Sequence, residues 1–375
     1  MSSFVVVNGI GDSVVAFRGA LVRDLVARGH RVIVSTPLPT EVSRESVDAA
    51  VRALGAEVEF SPLQRASVNP LREREARAHY RALFERIRPD GVFASNPKPV
   101  FHAMSAARNA GVARRVAMIT GLGYAFTATT LKARIIRVLA LRLYTRALAD
   151  ATTVFFQNLD DRALLQDAGV LDQSRDLRMC AGSGVALDEF IASPLPQGAP
   201  VFLMIARLLG DKGVREFAEA ARIVRRTHPA CRFRLVGWID RNPSAISPNE
   251  LDAWMREGIL EYEGRVDDVR AELNACSVFV LPSYREGTPK STLEALATGR
   301  PVITTDAPGC RETVIDGQNG LQIPARNAQA LAAACVRLAD DAALRARMGD
   351  ASRALAIGRY DVRLVNAMIL DSLGA

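Results

Sequence analysis

At 375 residues, with 49% hydrophobic and 24% charged residues, the chain is too long for one ordinary core and points to two domains of roughly 150–200 residues. No apolar run approaches the ~18 residues of a membrane span, the start Met1-Ser2-Ser3-Phe4 lacks a basic cleavable leader, and the five cysteines stand far apart without metal-like spacing. The charge of +7 is uneven: residues 1–193 hold 25 Lys or Arg against 19 Asp or Glu, net +6, leaving 23 against 22 for the rest, which suits phosphates or anionic headgroups but equally a plain solvated face.

Phe4 to Val7 reads as a strand, Gly9-Ile10-Gly11 as a turn, Val14 to Arg28 as an amphipathic helix and Arg31 to Ser35 as the next strand. The alternation continues through a helix at Leu71–Arg88, a strand at Gly91–Ala94, a helix near Val100–Ala110, and strands at Val116–Ile119 and residues 152–156. This is the grammar of a doubly wound parallel α/β sheet. Residues 194–200, rich in Pro and Gly, read as a linker between a first domain, 1–193, and a second, 201–355, with 356–375 a helical segment packing back on the first. In the second domain strands are expected at 201–205, 233–237, 278–281 and 301–304, with helices at 214–226, around 294–297 and from 328 onward. Two such domains face a cleft, the default ligand site.

Three pieces of the second domain follow strands. Arg207 and Lys212 lie just before a helix start, a combination suited to a diphosphate. Glu286 and Glu294 flank the turn Gly287-Thr288-Pro289-Lys290, whose amides precede a helix. The loop Gly264-Arg265-Val266-Asp267-Asp268 precedes a helix that Asp267 or Asp268 would cap.

Together with Thr305-Asp306-Ala307-Pro308-Gly309-Cys310-Arg311-Glu312, these segments resemble the retaining glycosyltransferases of family 4, which have the two-domain GT-B fold. In the first half, Arg18-Gly19-Ala20, Asn96-Pro97-Lys98-Pro99, Thr120-Gly121-Leu122-Gly123-Tyr124 and Gly182-Ser183-Gly184-Val185 look like the branch that builds bacterial oligosaccharides on undecaprenyl diphosphate, including N-acetylgalactosaminyltransferases. The resemblance implies that Arg207 and Lys212 hold the donor diphosphate, Glu294 the ribose, and Arg265 and Val266 the uracil. Glu286, with Gly287, Thr288, Pro289 and Lys290, would hold the transferred sugar and leaving phosphate, and Glu286, Arg207 and Lys212 would be catalytic. On the acceptor side it implies Gly9, Arg18, Gly19, Lys98, His102, Thr120, Gly121, Gly123 and Tyr124. Gly9 and Gly11 are split by Ile10, and Ala20 stands where Pro is commoner, so the acceptor half departs from the family pattern.

The expected activity is metal-independent, retaining transfer of a hexose or N-acetylhexosamine from a UDP-sugar to a polyprenyl-diphosphate-linked sugar. It would serve cell-surface polysaccharide assembly, with no cofactor, in a cytoplasmic protein peripheral on the inner membrane face. Residues Leu131–Ala147 mix apolar side chains with Lys132, Arg134, Arg137, Arg142 and Arg146, a candidate membrane surface. Helical spacing clusters Lys132, Arg142 and Arg146 and sets Arg134 and Arg137 nearly opposite, so a partly buried helix fits as well. The Arg-rich run from Arg65 to Arg88 is a second candidate. A UDP-sugar 2-epimerase and a transferase with a soluble acceptor share the donor-site features. Nucleic-acid binding would rest on charge alone, with no basic aromatic motif.

Overall fold

Two wholly parallel sheets carry the chain. The computed structural model describes all residues except 65, 66, 68, 123–125, 127–129, 173 and 240–243, and the side chains of 132 and 133. In order, the first sheet and its helices are β1 (Ser3–Val7), α1 (Val14–Ala27), β2 (Arg31–Pro37), α2 (Arg44–Arg52), β3 (Glu57–Ser61), α3 (Pro70–Ile87), β4 (Gly91–Ser95), α4 (Pro97–Asn109), β5 (Arg114–Ile119), α5 (Leu131–Asp150), β6 (Thr153–Phe156), α6 (Leu159–Asp167) and β7 (Asp176–Met179). The second comprises β8 (Val201–Ile205), α7 (Val214–Arg225), β9 (Arg232–Val236), α8 (Pro248–Arg256), β10 (Glu261–Gly264), α9 (Arg270–Ala275), β11 (Val278–Leu281), α10 (Lys290–Ala297), β12 (Val302–Thr305) and β13 (Gly320–Ile323). Then follow α11 (Ala328–Asp340), α12 (Ala342–Leu355) and α13 (Val362–Leu373).

Strand order is β3-β2-β1-β4-β5-β6-β7 in the first sheet and β10-β9-β8-β11-β12-β13 in the second. Each order reverses once, between β1 and β4 and between β8 and β11. Because side chains alternate along a strand, the first sheet feeds two cores. Val5, Val7, Val92, Ala94, Ala117 and Ile119 pack with α3, α4 and α5, whereas Phe4, Val6, Phe93, Val116 and Met118 pack with α1, α2 and α13.

By compactness the chain divides into Met1–Ser183 with Val362–Ala375, and Gly184–Asp361. The crossing falls at Ser183–Gly184, and the stretch 194–200 lies inside the second unit, where buried Arg300 donates to the carbonyls of Ser193 at 3.0 Å and Pro194 at 3.2 Å. No helix among the described residues is long and apolar enough to cross a membrane.

Candidate functional site

Doubly wound sheets bind ligands beyond the carboxyl ends of their strands, where the strand order reverses. In the second unit that point lies between β8 and β11, and the loops leaving these two strands meet. The β8 loop turns at Gly213, whose φ of +77° is left-handed; a Cβ there would sit 2.2 Å from the Pro282 carbonyl oxygen. Such a close approach admits only glycine. It sets Lys212 against the segment leaving β11: the Lys212 ammonium pairs with Glu286 Oε1, which also accepts from Ser283 Oγ at 2.8 Å. The two charged side chains keep only 15% and 14% exposure.

A third loop supports this pair from behind. Gly309, at φ +79°, has its Cα so close that a Cβ would lie 2.2 Å from the Glu286 carbonyl oxygen and 2.4 Å from that of Gly287, while the Glu286 amide donates to Pro308 at 2.9 Å. Tyr284 is fixed by donating to Glu216 at 2.6 Å and lies under the Arg326 guanidinium at 4.6 Å. Burial and that acidic neighbour push its phenol up to about 12.

Helix α10 starts after Pro289. Lys290 and Glu294 form an i,i+4 pair at 3.2 Å, and Glu294 is 8% exposed, so burial raises its carboxyl pKa while Lys290 opposes the shift. Two residues before it, Thr292 Oγ1 is buried without a hydrogen-bond partner. At the β9 and β10 exits, Arg265 lies over the Trp238 ring at 5.4 Å, beside half-buried Val266. The following helix starts at Arg270, later than the expected Asp267 or Asp268 start. Asp268 accepts from the Arg270 amide at 3.0 Å but also binds its guanidinium at 2.7 Å, and Val269 is the cap residue.

The first unit has a matching polar cluster where β1 meets β4. Arg18, 3% exposed, donates through Nε to Ser95 Oγ at 3.3 Å; Ser95 donates to Asn8 Oδ1 at 3.1 Å, and Asn8 Nδ2 to the Ile10 carbonyl at 3.0 Å. The Gly9 amide donates to Asn96 Oδ1 at 3.2 Å, and Asn96, itself left-handed at φ +75°, donates to Thr120 Oγ1 at 2.9 Å. Gly121 follows at φ +123°. Gly19 is buried inside α1, where a Cβ would crowd Val15 at 3.2 Å and Leu54 at 3.5 Å. Lys98 and His102 sit apart from this cluster. Both bind Glu73 of α3, at 2.6 and 2.7 Å, and Lys98 also donates to the Gln64 carbonyl at 2.7 Å. His102 is 2% exposed, and desolvation lowers its pKa against the pull of Glu73.

Two family models match most of this chain: glycosyl transferases group 1 over residues 199–341, and glycosyl transferase 4-like over residues 9–158. Over 370 residues it is 28% identical to the Campylobacter jejuni N,N'-diacetylbacillosaminyl-diphospho-undecaprenol alpha-1,3-N-acetylgalactosaminyltransferase, covering 95% of this chain and 94% of that enzyme. The chain is a family 4 glycosyltransferase. Its fold is GT-B, like that of sucrose-phosphate synthase from Thermosynechococcus elongatus, with a TM-score of 0.80, 17% identity and 98% of each chain covered. The Anabaena protein HepE, solved with UDP and glucose, matches with a TM-score of 0.79 at 18% identity over 100% of both chains.

Of the residues its sequence singled out, the glycosyltransferase joins Lys212 to Glu286 and Lys290 to Glu294, and sets Gly287 and Thr288 on the loop between, half-buried beside them. Arg207, also half-buried, leaves β8 on the same side. Gly9 and Thr120 meet at Asn96, Arg18 binds the neighbouring Ser95, and Lys98 and His102 are turned to Glu73. Gly123 and Tyr124 lie outside the described residues. No site role was assigned from sequence to Ser283, Thr292, Trp238 or Asn96. A Ser just past a strand end and three residues before Glu286, and an Asn before Pro-Lys-Pro, are the signals that point to two of them.

Proposed function

We propose that this glycosyltransferase moves a hexose or N-acetylhexosamine, with retention, from a UDP-sugar to a polyprenyl-diphosphate-linked sugar. The observation carrying the donor side is the Lys212–Glu286 pair at the reversal of the second sheet, with buried Glu294 about one turn into helix α10 that follows. In this reading Arg207 and Lys212 take the donor diphosphate, and the negative charge that develops on it as the glycosidic bond breaks is met by cations already in place. Glu286 releases Lys212 to the diphosphate and accepts hydroxyls of the transferred sugar, together with Gly287, Thr288, Pro289 and Lys290. Glu294 accepts from the ribose, and Arg265 and Val266 flank the base. No carboxylate is assigned as a nucleophile; the departing phosphate takes the acceptor proton on the same face.

The acceptor class is supported by the full-length similarity to the Campylobacter enzyme, whose name specifies a diphospho-undecaprenol substrate. Helix α5 supports a peripheral membrane contact. Its inner face, with Tyr144, Ala147 and Leu148, is buried against α4, yet Leu131, Ile135, Val138 and Leu139 remain 71%, 64%, 52% and 51% exposed. Arg134, Arg142 and Arg146 are exposed with them, so Arg134 belongs to the outward side, whereas Arg137 lies over Phe126 at 5.6 Å. Lys132 lies outside the described side chains. An apolar and basic outward face is the composition of an interfacial helix. The Arg-rich α3 is a poorer surface: Arg72, Arg81 and Arg86 are ion-paired with Glu75, Glu85 and Glu59, and Arg65 lies outside the described residues. The double substitution Ile135→Asp/Leu139→Asp is expected to lower binding to phosphatidylglycerol-containing vesicles at least tenfold in a flotation assay, with melting unchanged; equal flotation would remove α5 from the contact.

The deciding test is transfer of radiolabelled sugar from a panel of UDP-sugars to short polyprenyl-diphosphate sugars. Product with inverted anomeric configuration, or none with any lipid-linked acceptor, would refute the reading. Glu294 adds a pH signature. Its carboxyl pKa is raised, so its ionised form is lost as pH falls at a higher pH than for an ordinary glutamate. UDP affinity of the wild type is therefore expected to fall on mild acidification, whereas Glu294→Gln binds more weakly at neutral pH and loses that dependence. Titration of UDP at several pH values checks this.

A further inference from the structure

The first unit buries a positive charge that has no partner of opposite sign. Arg18 is 3% exposed; Nε reaches Ser95 Oγ, Nη2 reaches Met118 Sδ at 3.1 Å, and the guanidinium lies 5.1 Å from the centre of the Phe93 ring. All three partners are neutral. Among the described residues no carboxylate pairs with Arg18, and its third nitrogen, Nη1, makes no hydrogen bond. The titratable group acting on it is the thiol of Cys180, which burial pushes up to about 12 and so keeps neutral. Burying a cation without a counter-charge is strongly unfavourable, and such groups persist where function requires them. The position is not arbitrary. Ser95 and Asn8, bound in series to Arg18, end β4 and follow β1 at the one reversal of the first sheet, the place where a doubly wound sheet takes its ligand.

We propose that Arg18 Nη1 anchors an anion subsite in the first unit, taking a phosphate oxygen of the diphosphate-linked acceptor. The inference rests on the acceptor reading above and adds to it the group that holds the diphosphate. A guanidinium stays charged throughout the physiological range and pairs well with phosphate oxygens. Its partner in the free protein would be water, replaced by the substrate.

The probe is geranyl diphosphate, a short prenyl diphosphate without sugar, with UDP as the donor-side comparison. Calorimetric titration of Arg18→Met is expected to show geranyl diphosphate affinity reduced about 10–100-fold, the loss of one charge-assisted contact, with UDP affinity within about twofold of wild type. Because the substitution removes an uncompensated buried charge, the variant should melt at or above the wild-type temperature. Arg18→Lys, with shorter reach and one charge, should lose less, about 3–10-fold. Unchanged geranyl diphosphate affinity in either variant overturns the subsite. A parallel loss of geranyl diphosphate and UDP binding with a lowered melting temperature also overturns it, since that marks a purely structural arginine. Wild-type protein that does not bind geranyl diphosphate instead removes the prenyl-diphosphate reading itself.

Discussion

Replacing Lys212 with methionine is expected to lower kcat about 10²–10³-fold, the loss typical of removing one preorganised group that stabilises developing negative charge. The ammonium is held at the β8–β11 reversal by Gly213 and by Glu286, so it is in position before any donor arrives. Methionine keeps the stem and removes the charge. Glu286 then keeps Ser283 and loses the Lys212 ammonium at a side chain 14% exposed, which should cost stability by only about 1–3 kcal/mol. Steady-state kinetics on the proposed donor, with a thermal melt on the same sample, separate the two effects. A variant with near wild-type kcat would leave the diphosphate to other groups.

Gly309→Val should act through the backbone. The left-handed φ of +79° alone costs a β-branched residue about 1–3 kcal/mol, and its Cβ would fall 2.2–2.4 Å from the carbonyls of Glu286 and Gly287, which cannot both stay in place. The expected cost is about 3 kcal/mol or more, equivalent to a melting shift of about 6–12 °C for a unit of this size, with loss of UDP binding because the Glu286 loop is displaced. Gly317→Val is the control. Gly317 has nearly the same φ, +75°, but nothing within 4 Å of its Cβ position, so it should show the conformational cost alone and keep UDP binding. Equal melting temperatures for the two variants would refute the account.

The central strands were legible because they are buried on both faces: Val5, Val6 and Val7, or Phe202, Leu203 and Met204, form unbroken apolar runs. The edges were not. Glu57-Val-Glu-Phe-Ser and Asp176-Leu-Arg-Met form the two rims of the first sheet, where polar residues alternate with apolar ones and no run stands out. The donor-side loop was readable for a different reason: its partners lie close along the chain or directly after strands whose neighbours could be inferred. Lys98 and His102 show the limit. Both lie near a strand end and resemble ligand residues, but Glu73, contributed by a separate helix, occupies both, and no local pattern announces a pairing across two helices. Likewise, the burial of Arg18 depends on the packing of α1 against β4 and β5, which spacing within α1 does not encode.

The return of α13 to the first unit governs how this protein must be made. Val365, Ile369, Leu370 and Leu373 are at most 2% exposed within the core that holds Phe4, Val6 and Phe93. Residues up to Ser183 leave the ribosome first, but the groove that receives this helix stays open for another 190 residues, the difference between 373 and 183. At about 5–20 residues per second that is on the order of 10–40 s, during which one apolar flank of the nascent sheet is uncovered. The second unit, contiguous in sequence, can be finished meanwhile. The half translated first is therefore the last to close, and it is the half that a trigger-type chaperone would have most reason to shelter.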